Sequence, residues 1–131
     1  MREVSVSRFV PATPAAVERL LTPARLIEAE GSFTVRETTE REGDTAVTAG
    51  RAGLQLTFLF ESGDRRLSYE QVRGPLDRLT TTVSYVPEDE GTRLALESTV
   101  ATGGPALVDR LAAWKREGEL ERALATLAQS L

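Results

Sequence analysis

The two residue types that perform much of enzyme chemistry, cysteine and histidine, do not occur among the 131 residues of this sequence. Their absence excludes thiolate nucleophiles, disulfides, catalytic triads that use histidine, and the common zinc and iron–sulfur sites. Carboxylates and phenols remain as the main groups for general acid–base work. The acidic residues are scattered without a recognisable ligand spacing, so we predict neither a metal site nor a cofactor.

Glu37, Tyr69 and Tyr85 are the candidates for proton transfer, since each shares one side of an alternating stretch with apolar residues. A carboxyl group held among apolar side chains tends to keep its proton and can donate it to a substrate. The alternatives are a solvated carboxylate near a strand end and phenol hydroxyls that meet only water at the rim of a cavity.

The elements that must position these residues follow from the hydrophobic pattern. Two short helices are predicted after Thr13-Pro14 and Thr22-Pro23, because each pair places a capping hydroxyl before a proline; Gly31 ends the second helix. A C-terminal helix is predicted to begin after residues 103–105. Short turns between the strands favour antiparallel pairing. Alternation of polar and apolar residues predicts seven strands, at 2–10, 33–39, 45–51, 54–60, 67–71, 79–85 and 94–100.

The C-terminal helix carries two apolar stripes on nearly opposite sides. The phase changes within 115–119, which predicts either a bend near Gly118 or a helix that packs on different neighbours at its two ends. Burial of both faces is the alternative. We expect the first stripe to face the sheet. The first stripe consists of Leu107, Leu111 and Trp114, and the second of Leu120, Leu124, Leu127 and Leu131.

The composition argues against several classes of partner. The net charge is −4, without the basic face that nucleic-acid binding requires. No apolar run approaches the ~20 residues of a membrane span, and residues 1–20 lack the apolar stretch of a signal peptide. We therefore expect a cytoplasmic protein. Lys115 is the only lysine against 15 arginines, which, with the acidic balance, is typical of GC-rich genomes such as those of salt-adapted archaea.

The order of strand, two short helices, six strands and long helix resembles the START-like or SRPBCC superfamily. This is the helix-grip fold of birch-pollen allergens, polyketide cyclases and coenzyme-Q-binding proteins. The resemblance covers the whole chain and is most specific over residues 67–99, LSYEQVRGPLDRLTTTVSYVPEDEGTRLALEST. It implies an α+β domain over 1–131, with a seven-stranded curved antiparallel sheet and a long C-terminal helix. Leu76 and Val83 stand where cyclase-like members commonly have aromatic rings, which implies a wider cavity or a reshaped mouth.

A ligand cavity is expected between sheet and helix, because one helix covers only a strip about 10 Å wide. Plain core packing is the alternative for the aromatic residues. Gln71, Thr81 and Ser98 are the other polar residues expected on the inward faces. The predicted ligand-binding residues are Phe58, Phe60, Tyr69, Val83, Tyr85, Leu96, Leu107, Leu111, Trp114 and Glu37.

Three functions remain open on these grounds. The first is non-catalytic binding, carriage or sensing of an apolar small molecule such as a lipid, quinone or isoprenoid. The second is a cyclase- or dehydratase-like enzyme in which Tyr69, Tyr85 or Glu37 moves a proton. The third is a protein-interaction module with a vestigial cavity, for which a protein partner would bind an exposed apolar patch.

Overall fold

One antiparallel sheet and three α-helices make up the fold of residues 1–131, all of which the computed structural model describes. The strands pair in the order β1-β7-β6-β5-β4-β3-β2, so the curved sheet and helix-grip arrangement are confirmed. None of the helices is both long and apolar enough to cross a membrane. The elements are β1 (Arg2–Val10), α1 (Pro14–Leu20), α2 (Pro23–Glu30), β2 (Thr34–Arg41), β3 (Asp44–Arg51), β4 (Leu54–Gly63), β5 (Arg66–Arg73), β6 (Arg78–Glu88), β7 (Gly91–Ala101) and α3 (Ala106–Gln129).

The two short helices begin where the threonine–proline pairs predict. The Thr13 hydroxyl accepts a hydrogen bond from the Ala16 amide at 3.1 Å, and the Thr22 hydroxyl accepts one from the Arg25 amide at 3.3 Å. Each bond satisfies an amide that the first helical turn leaves without a partner. Gly31 ends α2 with a φ of 82°, a left-handed conformation that glycine adopts without steric cost.

The inner face of the sheet supplies most of the core. In β4, Leu56, Phe58 and Phe60 are buried while the residues between them are more exposed, as a period of two requires. β6 and β7 repeat this alternation. The Phe58 and Tyr69 rings meet edge to face, with centroids 5.2 Å apart. The strand pattern in the sequence thus identified the buried side of β4, β6 and β7 correctly.

The helix α3 covers this face with the side opposite to the predicted one. Leu107, Leu111 and Trp114 are 63%, 58% and 76% exposed, so the prediction that they face the sheet is wrong. The buried stripe is continuous and changes in character along the helix. Its side chains are polar or small in the first half of the helix and mostly leucine in the second half. The stripe consists of Asp109, Ala112, Ala113, Arg116, Glu119, Leu120, Ala123, Leu124 and Leu127.

The phase change therefore requires no break in the helix. α3 runs without interruption through Gly118, and its buried face packs on β1, β7 and α2. What changes at 115–119 is the residue type on that face, because polar and small side chains replace leucines toward the N-terminal end. A stripe chosen by hydrophobicity alone consequently selects the solvent side in the first half of the helix.

Leucine-to-alanine changes on the two stripes should separate their roles. Leu124→Ala removes a fully buried side chain, and we expect it to lower the free energy of unfolding by about 2–5 kcal/mol. Leu111→Ala removes an exposed one and should change it by no more than about 0.5 kcal/mol. Urea denaturation followed by circular dichroism measures both. A loss at Leu111 equal to that at Leu124 would contradict the assigned orientation of α3.

Asp109 joins the start of α3 to the residue before β1 and the residue after β7. Its carboxylate accepts hydrogen bonds from the Thr102 amide at 2.9 Å and the Thr102 hydroxyl at 2.6 Å, and pairs with the terminal ammonium of Met1 at 2.6 Å. These bonds, first the one to the chain terminus and then those to Thr102, hold the pKa of Asp109 well below its usual value of 3.8.

A lowered pKa means that Asp109 stabilises the fold while its carboxylate is charged. That contribution should be complete above about pH 4 and should disappear as the pH falls through the lower folded-state pKa. Asp109→Asn is expected to melt at a lower temperature than the unmodified chain at pH 7, with the gap narrowing toward pH 2. Thermal melts across this pH range test the sign; a gap that widens with acid would refute it.

Candidate functional site

A cavity of about 180 Å³ lies between the first half of α3, the end of α2, β4 and the β5–β6 loop. Its walls are mainly apolar, and charged residues of α2 and α3 line one part of it. Leu76, one of the two positions that depart from the cyclase-like pattern, lies in this wall. The lining residues are Ile27, Glu30, Ser32, Phe33, Leu54, Leu56, Phe58, Pro75, Leu76, Leu79, Val100, Ala112, Lys115, Arg116 and Glu119.

Arg116 is the least exposed polar residue in the wall of this cavity. Its side chain is only 4% exposed. It projects from the buried face of α3, and its Nη1 donates to Glu30 Oε1 at 2.6 Å, which ties α3 to the end of α2. The same nitrogen lies 3.4 Å from Glu119 Oε1, one turn further along α3. Two buried carboxylates thus share one guanidinium.

The remaining nitrogens of Arg116 bind the sheet. Nη2 donates to the Tyr69 hydroxyl and, at 2.7 Å, to Thr81 Oγ1. Nε donates to Ser98 Oγ at 3.1 Å. Tyr69, Thr81 and Ser98 lie on the adjacent strands β5, β6 and β7, where Tyr69 pairs with Thr81 and Thr81 with Ser98. The guanidinium therefore bridges α3 to three strands at once.

Tyr69 completes the network from the sheet side. Its hydroxyl donates to Glu30 Oε2 at 2.7 Å. Burial raises the pKa of Tyr69 far above its usual value; Arg116 opposes that effect and Glu30 adds to it. Burial alone would lower the pKa of Arg116, but the charge of Glu30, its hydrogen bond to the guanidinium and the charge of Glu119 raise it overall. At neutral pH, Tyr69 is therefore a neutral donor and Arg116 a permanent cation.

Glu119 and Lys115 connect this buried network to the outside. The Ser32 hydroxyl donates to Glu119 Oε2, and the Lys115 ammonium lies 3.9 Å from the same oxygen. Lys115 is 70% exposed, which places it at the mouth of the cavity, whereas Glu119 is nearly buried. The polar part of the wall thus runs from an enclosed guanidinium to a solvated ammonium.

Of the predicted ligand-binding residues, the structure places Phe58 in the cavity wall. Five others are buried in the core beside or beyond it. Tyr69 is connected to the cavity only through its hydrogen bond with Arg116. Burial, together with the Glu18 and Asp64 carboxylates, raises the pKa of Tyr85. The five buried residues are Phe60, Tyr69, Val83, Tyr85 and Leu96.

Four predicted site residues do not line the cavity. Leu107, Leu111 and Trp114 lie on the solvent side of α3. Glu37 is exposed because β2 has a bulge between Val35 and Glu37. Val35 pairs with the buried Ala49, but Glu37 pairs with Thr48, whose side chain is on the other face of β3. The expectation that Glu37 shares the inner face with Val35 is wrong for this reason.

Glu30, Arg116 and Glu119 were missed by the sequence analysis. A signal was present for Arg116 and for Glu30. Counting back from Leu120, Leu124 and Leu127 in steps of three and four leads to Arg116 on the same helical face. The same spacing from Leu26 and Ile27 leads to Glu30 in α2. Thr81 and Ser98, expected on the inward faces, do lie there and bind Arg116.

Removing the shared guanidinium should be severe. Arg116→Met leaves Glu30 and Glu119 buried without their cation, and we expect a loss of about 3–5 kcal/mol in the free energy of unfolding. Adding Glu30→Gln and Glu119→Gln to Arg116→Met removes the unpaired charges and should recover a large part of the loss. Chemical denaturation of the single and triple variants measures this. Equal stability of Arg116→Met and the unmodified chain would show that the network is not structural.

Solved structures with this fold come from several bacteria. TTHA0849 from Thermus thermophilus is 29% identical, with 95% of this chain and 99% of that chain covered and a TM-score of 0.65. XoxI from Bacillus cereus is 14% identical over 99% of this chain and 95% of its own, with a TM-score of 0.76. A START superfamily protein from Mycobacterium smegmatis is 13% identical over 98% and 99%, with a TM-score of 0.66.

Comparison with curated proteins gives no match. The START-like or SRPBCC assignment made from the strand and helix order is nevertheless confirmed, both by these structures and at the level of the family. The family assignment supports a domain that binds hydrophobic ligands, which agrees with the apolar cavity described above. Residues 1–131 match the family described as polyketide cyclase / dehydrase and lipid transport, and this chain belongs to it.

Proposed function

We propose that this protein binds a small, mainly apolar molecule in the cavity between α3 and the sheet, and that it does so without catalysing a reaction. The observation that carries the proposal is the cavity itself, with apolar walls and a polar part confined to α2 and α3. Ligand sites are typically concave and apolar, with a few polar groups that orient the ligand. The family's description names lipid transport, which agrees with an apolar ligand.

The size of the cavity limits what it can enclose. An engineered apolar cavity of about 150 Å³ in another protein admits benzene, so about 180 Å³ accommodates one six-membered ring or a short alkyl chain. A larger molecule, such as a quinone with an isoprenoid tail, would insert one part and leave the rest at the mouth. The exposed Leu54 side chain in the cavity wall would contact such a projecting part.

The state of the polar residues favours binding over catalysis. Arg116 and Tyr69 are engaged with one another and with Glu30, and the raised pKa of Tyr69 removes it as a base at neutral pH. Catalytic acids and bases need pKa values near the working pH. Of the two other residues considered for proton transfer, Glu37 lies on the exposed face of β2, and Tyr85 is buried with a raised pKa.

Filling the cavity should weaken binding strongly without unfolding the protein. Ala112 lies in the wall on α3, and Ala112→Phe places a ring in the space. We expect the unmodified chain to bind benzyl alcohol with a dissociation constant of about 1 mM or below. Ala112→Phe should weaken binding by at least about tenfold. Chemical-shift titration of the labelled protein measures both affinities and locates the perturbed residues.

Ala106→Phe is the matched control, because it makes the same change at an exposed position on the same helix. It should bind benzyl alcohol like the unmodified chain. The proposed function is wrong if the alcohol and n-hexanol leave the cavity resonances unchanged, or if Ala112→Phe and Ala106→Phe bind equally well.

A further inference from the structure

The number of free N–H donors on Arg116 limits which ligand groups the cavity can bind. A guanidinium has five N–H donors. All five are used: one by Ser98, two by Glu30 and Glu119, and two by Tyr69 and Thr81. Arg116 therefore has no donor left for a ligand, although it is the cation nearest to the enclosed part of the cavity.

Unlike the guanidinium, the Glu119 carboxylate can still form a hydrogen bond with a ligand. Two carboxylates face one buried guanidinium, so the enclosed group of Glu30, Glu119 and Arg116 has a formal charge of −1. Glu119 keeps acceptor capacity, because its contact with Arg116 is long at 3.4 Å and its other oxygen receives only the Ser32 hydroxyl and the distant ammonium of Lys115. A carboxylate has about four lone-pair positions.

Lys115 balances this charge only from outside. Its ammonium is 3.9 Å from Glu119 and its side chain is mostly in water, where an ion pair contributes little. A cationic group that enters the cavity can take its place beside Glu119. An anionic group that enters meets a carboxylate in poorly solvated surroundings, where repulsion is stronger than in water.

We infer that the cavity selects apolar molecules that carry a hydrogen-bond donor, above all a protonated amine, and discriminates against carboxylates such as fatty acids. Glu119 is the residue that receives the donor, in a charge-assisted hydrogen bond. This inference rests on the proposed function, since it assigns the chemical class of the ligand to the same cavity. It makes a neutral alcohol an acceptable ligand and a carboxylate an unfavourable one.

Three ligands with the same ring test this preference. Benzylamine, benzyl alcohol and benzoate are titrated into the full chain at pH 7, with chemical shifts as the readout. We expect benzylamine to bind most tightly and benzoate at least about tenfold more weakly than benzylamine. The order should persist at moderate salt, because a pair inside the cavity is screened less than a surface pair.

Glu119→Gln tests whether Glu119 causes this preference. It keeps the shape and removes the charge, so the ratio of amine to benzoate affinity should fall toward one. Glu117→Gln is the matched control, since it makes the same change at an exposed position two residues away, and it should leave the ratio unchanged. The three ligands on the unmodified chain test the preference even if Glu119→Gln folds poorly.

The outcomes separate this inference from the proposed function. Benzoate binding as tightly as benzylamine would overturn the preference and leave the cavity's binding role standing. An equal loss of preference in Glu117→Gln and Glu119→Gln would trace it to the overall charge and would also overturn the inference. If none of the three ligands binds, the proposed function fails, and the preference fails with it.

Discussion

The buried guanidinium of Arg116 is the interaction on which the rest of this architecture depends. It joins α3 to α2 through Glu30 and to three neighbouring strands through Tyr69, Thr81 and Ser98. Burying a charge is costly unless it is paired and its donors are satisfied, and both conditions are met at this position. The cost is offset only in one docking geometry of α3, since a small rotation of the helix would leave several donors without acceptors.

The cavity is a consequence of that arrangement. Leucines fill the space between α3 and the sheet in the second half of the helix, but alanines and Arg116 occupy the same face in the first half. Small side chains leave room, and the network holds the helix in place where apolar packing is thin. Stability and ligand space therefore come from different halves of one helix.

The sheet and the two short helices could be predicted almost completely, because the two-residue period of the strands and the threonine–proline caps of the helices are local signals. The face of α3 could not be chosen by hydrophobicity. Leu107, Leu111 and Trp114 form as apolar a stripe as the leucines that are buried, and the acceptors on the sheet and on α2 explain why Arg116 turns inward. Glu37 failed for a related reason: the bulge in β2 depends on its pairing with β3 and has no mark in the sequence of β2 itself.

Lys115 is the sole lysine of the chain. Its ammonium is at the mouth of the cavity, and its side chain is largely free in solvent. Reagents that acylate amines therefore have one side-chain target in this molecule, located at the entrance for ligands. A fluorophore attached there would sit where occupancy changes, in a protein whose single tryptophan faces away from the interior.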